Sequence, residues 1–320
     1  MLDLEIALAN IDRLQSLELQ GAALPYGVKA RLFEAAQSVH EDSLVGGAAR
    51  ILSGPPRMIG IITGAQVPKK MPLGENDGPL GSLVLARALR KIGHTVNFYT
   101  DDAAAIPIEK LLDWLEIEAS VIRLEQGSRD AQIDIANTLD VIVAVERLGG
   151  NPNGILYGAT GVSRSDFRCN ADTLFRRMSE LGKPSIGIAD GGNEIGCGKI
   201  HKLISQTLSK LNYCDRTPCG GGVFSVVSTD VLVIATTSNL GCAGVVAALA
   251  LLQGNADLCH SAGDELRLIE KGVEIGLTDG GTGRVIAAVD GVSATDHAAL
   301  VGLMQSIVRR ALAGPEERGF

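Results

Sequence analysis

Aromatic residues are scarce in this 320-residue chain: one Trp, four Tyr and six Phe. That is too few for a platform on which bases stack. A formal net charge of −8 argues against tracking a phosphate backbone, so no nucleic-acid partner is expected. The five histidines, at 40, 94, 201, 260 and 297, are scattered. Neither a histidine-rich zinc site nor a Ser–His–Asp triad has a basis in that pattern. The six cysteines, at 169, 197, 214, 219, 242 and 259, form no C-x-x-C pair and no metal-ligand spacing, and read as reduced structural thiols.

Long apolar runs are missing too. The stretch DVLVIATTSNLGCAGVVAALALLQG (230–254) is broken by Thr, Ser, Asn and Gly; it reads as strand, loop and helix, not as a membrane span. The opening MLDLEIALANIDRLQ is acidic, with no basic leader ahead of an apolar core. No membrane association and a cytoplasmic, or comparably reducing, location are the expectations.

Glycine, by contrast, is plentiful. The chain has 39, well above the usual ~7 %, and they cluster beside polar residues, as tight turns and close backbone approaches require. Apolar residues make up 46 % and charged residues 21 %, a composition that buries a large core.

Residues 1–52 repeat apolar positions every three or four residues and predict a helical segment. From RMIGIITG (57–64) onward, short buried strands alternate with helices of ten or more residues. That alternation predicts an α/β fold, a mainly parallel sheet covered by helices on both faces, over 53–315, followed by a tail at 316–320. A last strand is read in GRVIAAVDGVS (283–293), with Asp290 near its end. Ligands of such sheets gather beyond the C-terminal ends of the strands. Four polar tips are predicted there: Thr100–Asp102, Glu146–Arg147, Asp190–Glu194 and Thr236–Asn239.

The stretch PSIGIADGGNEIGCGK (184–199) is the most informative. It is neither G-x-G-x-x-G nor a P-loop, because Lys199 is followed by Ile200. It lies past the middle of the chain, with no ribose-binding acid about twenty residues later, so no nucleotide cofactor is expected. Gly191 and Gly192 allow a sharp turn that aims Asp190, Asn193 and Glu194 into one space, and the backbone N–H groups of such a turn can form an anion nest. Helix capping by these acids is the plainer alternative. Arg147 is expected to clamp a carboxylate with two donors, and Glu146 to bind an ammonium or exchange its proton; an ordinary surface ion pair is the alternative. Thr236, Thr237, Ser238 and Asn239 offer neutral donors for a carboxylate or oxyanion, or a helix cap. Glu75, Asn76 and Asp77 in GENDG (74–78) are read as a capping loop or as a substrate- or metal-binding loop. Asp279 in TDGGTG (278–283) is a candidate metal residue with Asp190 and Glu194; an oxygen-only set of that kind prefers Mg²⁺ or Mn²⁺.

IGIADGGNEIGCGK (186–199), GENDGPLGSLVLARALRKIGH (74–94), VAVERLG (143–149) and VIATTSNLGCAG (233–244) together resemble the D-glutamate cyclase family, over about residues 50–315. The resemblance implies conversion of D-glutamate to 5-oxo-D-proline with loss of water, and a divalent metal, Mn²⁺ in particular. Where relatives often carry methionine, this chain has Cys197. On that reading Asp190 and Glu194 form the acid–base pair and Asn193 positions the substrate. Arg147 and residues 237–239 hold the α-carboxylate, and Lys199 adds positive charge. The alternatives are a metal-assisted phosphoryl-transfer or hydrolytic enzyme using Asp190, Glu194 and Asp279, and a non-catalytic amino-acid-binding protein.

Overall fold

The computed structural model describes residues 4–19, 24–212 and 214–313. Six strands form one sheet: β1 (Met58–Ile62), β2 (Thr95–Thr100), β3 (Ser120–Arg123), β4 (Val141–Val145), β5 (Ser185–Ala189) and β6 (Val231–Ile234). Their spatial order is β3-β2-β1-β4-β5-β6, and every pairing is parallel. Every residue of β4 and β5 is buried, which explains why these strands read as unbroken apolar runs: both faces of the sheet are covered. The α/β expectation is met.

The helices are α1 (Leu4–Gln15), α2 (Val28–Gln37), α3 (Leu44–Leu52), α4 (Pro79–Lys91), α5 (Asp102–Leu115), α6 (Arg129–Thr138), α7 (Asp172–Glu180), α8 (His201–Thr207), α9 (Ser238–Gln253), α10 (Ala262–Ile275) and α11 (Ala294–Ala313). The run 230–254 divides into β6 and α9 as expected. Thr237 caps α9, its hydroxyl accepting from the Leu240 N–H. Among the described residues no helix is long and apolar enough to cross a membrane.

The first three helices pack onto the sheet unit: α1 lies against α9 and α11, α3 against α9 and β6, and α2 against β6. Polar contacts fasten them. The Asp12 carboxylate accepts the Leu44 and Val45 N–H groups at the start of α3, and Thr236 beyond β6 donates its hydroxyl to the Leu17 carbonyl.

One strand expectation fails. Residues 283–293 add nothing to the sheet; they form a short antiparallel hairpin of β7 (Ala288–Val289) and β8 (Val292–Ser293). The cause is local. Asp290 and Gly291 both take positive φ, 49° and 79°, the backbone that a two-residue hairpin turn demands. Asp290 therefore sits at a turn, not at a strand end, and Val285 and Ile286 of the apolar run stay exposed.

Candidate active site

The strand order changes direction between β1 and β4, and a cavity of about 160 Å³ opens by the residues that follow β4 and β5. After β5 the chain turns through Asp190, Gly191 and Gly192 (φ 92°). It then runs back beside 147–149, with Ile195 N–H donating to the Arg147 carbonyl and Gly149 N–H to that of Asn193. This turn closes on its own acid: Glu194 Oε1 accepts the Gly191 N–H at 2.7 Å and that of Asp190 at 3.2 Å. Asn193 is fixed by its amide donating to the Tyr157 carbonyl at 2.8 Å.

Glu146 follows β4 with φ 50°, a left-handed backbone uncommon for a residue with a side chain. Its neighbour explains Gly78: a Cβ there would lie 2.7 Å from the Glu146 Cβ and 2.8 Å from Thr63 Oγ1. The Ser238 hydroxyl donates to Glu146 Oε2 at 2.6 Å. Burial, with Asp190 and Glu194 close by, pushes the Glu146 carboxyl well above the usual range.

Two groups of three carboxylates meet here and share Asp190: Glu146, Asp190 and Glu194, and Asp77, Asp190 and Asp290, each with oxygens within 4.8 Å of one another. The second group already has a cation. Lys29 of α2, almost wholly buried, donates to Asp190 Oδ2 and to the Thr236 carbonyl, and its Nζ is 3.4 Å from Asp290 Oδ2. Burial pulls the ammonium down, but Asp190 and Asp290 outweigh it and hold Lys29 charged. Desolvation lifts Asp290 to about 7, with Lys29 opposing, and lifts Glu75, with Asp290 adding to it, to about 8. Gly280 makes room for both acids: a Cβ there would fall 2.0 Å from Glu75 Oε2 and 2.7 Å from Asp290 Oδ1.

The cavity brings together Glu75, Glu146, Asp190, Gly191, Asn193 and Glu194 of the residues singled out in the sequence. Others lie elsewhere. Arg147 is 1 % exposed; its guanidinium grips Asp101 with two bonds and donates to the Gly64 and Cys169 carbonyls, so it is not free to clamp a ligand. Thr237 caps α9 and contacts His297 Nε2 at 2.9 Å. Asn239 Oδ1 accepts from Gly78 and Gly81, and its amide donates to the Asn76 carbonyl. The Ser238 and Asn239 N–H groups bond Asp77. These donors tie residues 76–78 and the start of α4 to α9 and do not line the cavity. Gly192 lies against Phe224.

Asp279 accepts from the Thr282 and Gly291 N–H groups; it organises the β7–β8 region and belongs to neither carboxylate group. Lys199 donates to the Asp230 carbonyl at the surface. Cys197 is fully buried with its thiol towards Glu194 Oε2, and burial pushes it well up, so it stays protonated. All six cysteines are free thiols.

Lys29, Arg164 and Arg168, which also line the cavity, were missed. For Lys29 a signal existed: positions 29, 32 and 36 share one helix face, and Leu32 and Ala36 are apolar, so a lysine stands in a buried stripe. The two arginines lie in the irregular 149–171 segment, where no periodicity marks them.

Fold and site together define an α/β protein with a small, acid-rich cavity at the strand ends. The family model for the C-terminal part of D-glutamate cyclase-like proteins matches residues 24–305, and the chain belongs to that family. The match starts at Leu24, not near residue 50, and so takes in Lys29. The human mitochondrial D-glutamate cyclase is 27 % identical over 196 residues, 57 % of this chain and 30 % of that protein, so the chain spans less than a third of its relative's length. Among solved structures, a short-chain dehydrogenase/reductase from Serratia marcescens aligns at TM-score 0.28 and 11 % identity over 49 % of this chain and 66 % of that one. BdcA in complex with NADPH aligns at 0.28 and 15 % over 79 % and 88 %. The expectation of no nucleotide cofactor is corrected by the sheet itself: its β3-β2-β1-β4-β5-β6 order is that of dinucleotide-binding folds, so the missing glycine fingerprint does not exclude one. The glycine fingerprint was too narrow a criterion. At these TM-scores no particular cofactor takes the expectation's place.

Proposed function

We propose that this protein cyclises D-glutamate to 5-oxo-D-proline and water. The observation that carries the reading is the meeting of Glu146, Asp190 and Glu194 in one small cavity beside a buried ammonium, in a chain of the D-glutamate cyclase-like family. The substrate amine attacks the γ-carboxyl carbon of its own molecule, so a C–N bond forms and a C–O bond breaks. The two protons that the ammonium gives up leave on the departing oxygen as water. Holding the chain folded for five-membered ring closure supplies much of the rate.

Asp190, whose carboxyl burial raises while the Lys29 ammonium pulls it back, takes the proton from the amine. Glu146, whose surroundings favour the protonated form, delivers a proton to the departing oxygen. Glu194, anchored by two N–H groups, fixes the turn that aims Asp190, and Asn193 lines the substrate's place.

The family resemblance implies a divalent metal, and the donor set fits one when Glu146 is ionised: Glu146, Asp190 and Glu194 are then hard oxygen ligands, and Glu146 serves as proton donor only when it does not hold the ion. The Asp77, Asp190 and Asp290 group fits less well, because the Lys29 ammonium already lies against it. When bound, such an ion supplies positive charge for the tetrahedral oxyanion. Purified protein incubated with D-glutamate or with 5-oxo-D-proline, with and without Mn²⁺, should interconvert the two on chiral chromatography. Folded protein that converts neither would refute the reading.

A further inference from the structure

The acids of the cavity account for the reacting end of a ligand. They leave open what holds its other end, now that Arg147 is engaged with Asp101. Arg168 has the required features. It is 6 % exposed and lines the cavity. Its Nε donates to the Gln66 carbonyl at 3.0 Å, which fixes the plane of the guanidinium. Among the described residues its two terminal nitrogens have no protein hydrogen-bond or ion-pair partner. Both nitrogens keep contact with solvent, so a ligand in the cavity can take the place of water on them.

Its neighbours do not complete it. Arg164 lines the same cavity, its side chain lying over the Phe167 ring with the centroid 6.0 Å away. A Cβ on Gly158 would come 3.0 Å from the Arg164 guanidinium, so the glycine gives that side chain its room. Glu75 is the nearby acid that steadies Arg168, yet it forms no ion pair with it among the described residues. Burial pulls the Arg168 guanidinium down to about 10, with Glu75 opposing and Arg147 and Arg164 adding to the fall.

We propose that Arg168, assisted by Arg164, is a carboxylate-binding subsite. The pocket then selects small acids that carry one carboxylate on this fork while the reacting end faces Glu146, Asp190 and Glu194. Two parallel N–H donors in a fixed plane match the two oxygens of a carboxylate. The assignment of the reacting end rests on the cyclase reading. The subsite itself does not.

In the cyclisation the α-carboxylate is never consumed, so substrate and product carry the same handle. The product therefore reports on the subsite without turnover. Calorimetric titration of the full chain would compare 5-oxo-D-proline with 5-oxo-D-prolinamide, which differs only in lacking the charged carboxylate. Glutarate, which has no amine and cannot cyclise, serves as an acid independent of the reaction. The wild type should bind the acid about 10- to 100-fold more tightly than the amide, the size expected of hydrogen bonds to a charged group.

Arg168→Gln should erase that ratio while leaving amide affinity unchanged, and should weaken glutarate to the same degree. Arg168→Lys, which keeps charge but loses the fork, should fall between. A merely structural arginine would weaken acid and amide alike, so the ratio separates the two roles. Should the Gln variant not fold, the Lys variant carries the same comparison. Equal binding of acid and amide by the wild type, no binding of either, or an acid preference that survives both substitutions would overturn the subsite. A failed cyclase reading looks different: D-glutamate and 5-oxo-D-proline do not interconvert, while glutarate binding still depends on Arg168.

Discussion

Glu265 and Glu146 are glutamates held inside the same molecule, and their surroundings push them in opposite directions. Glu265 of α10 lies between two imidazoles, with His260 Nε2 at 2.7 Å and His297 Nδ1 at 2.6 Å. Those rings are anchored in turn, His260 by Arg87 and His297 by Thr237. Burial alone would raise the Glu265 carboxyl, but the flanking histidines outweigh it and hold it well below the usual range. Around Glu146 the neighbours are Asp190, Glu194, Asp77 and Glu75, and the carboxyl goes up. The Glu265 centre is compensated and serves structure. The Glu146 centre carries an excess of acid that Lys29 offsets only in part, an arrangement kept where a cation, a proton or a substrate completes it. The two are close relations in space: Thr237 touches His297, and the next residue, Ser238, bonds Glu146.

Substitutions at the two glutamates should therefore have different readouts. Glu146→Gln should lower turnover of D-glutamate by about 10²- to 10⁴-fold, the range for loss of a general acid, with the urea midpoint unchanged or raised. Equal turnover would move the proton donor elsewhere. Glu265→Ala should instead cost about 3 kcal/mol of stability, as for a buried ionic network that loses one member, measured by urea unfolding. Its effect on turnover should be no more than its effect on folding.

Gly280→Ala falls between the two classes. The new methyl group meets Glu75 and Asp290, so activity should drop about tenfold with a stability loss near 1 kcal/mol, the lower range for overpacking. Parallel assays of turnover and unfolding check it.

The smallest effect is in the pH profile of thermal stability. Glu75 and Asp290 have folded pKa values, about 8 and about 7, above their unfolded ones. Their contribution is fully present below about pH 4 and is lost as pH rises through 7 and 8. Glu265 is depressed on folding, so its contribution is present above about pH 4.5 and is lost as pH falls through its folded value. The melting temperature should therefore decline on both sides of a maximum. Glu75→Gln should flatten the alkaline side by a few degrees, about what 1 kcal/mol produces in a chain of this size. Mn²⁺ should raise the melting temperature more at pH 8 than at pH 5, because the cation binds ionised carboxylates.

Much of the fold was legible because the sheet is covered on both faces: MIGII, VIVAV and SIGIA read as strands from apolarity alone. The hairpin at 288–293 was not, because one aspartate with positive φ turned an apolar run back on itself. The DGGNEIG turn was legible as a turn that gathers acids at a strand end because its glycines and acids are adjacent in the chain. Arg147 misled because a strand-tip arginine looks the same whether its partner is a ligand or Asp101, forty-six residues earlier. Arg164 and Arg168 were invisible, since their placement comes from an irregular segment with no repeat to betray it.

Lys29 gives the N-terminal helices a meaning that packing alone does not. The molecule keeps a permanent counter-ion for its acid cluster, and that ion is carried in by α2, more than 160 residues before Asp190. A chain shortened to begin at residue 53 would retain every strand and every carboxylate of the pocket. It would lack the ammonium that sits between Asp190 and Asp290, and those two carboxyls would be pushed further towards the protonated form.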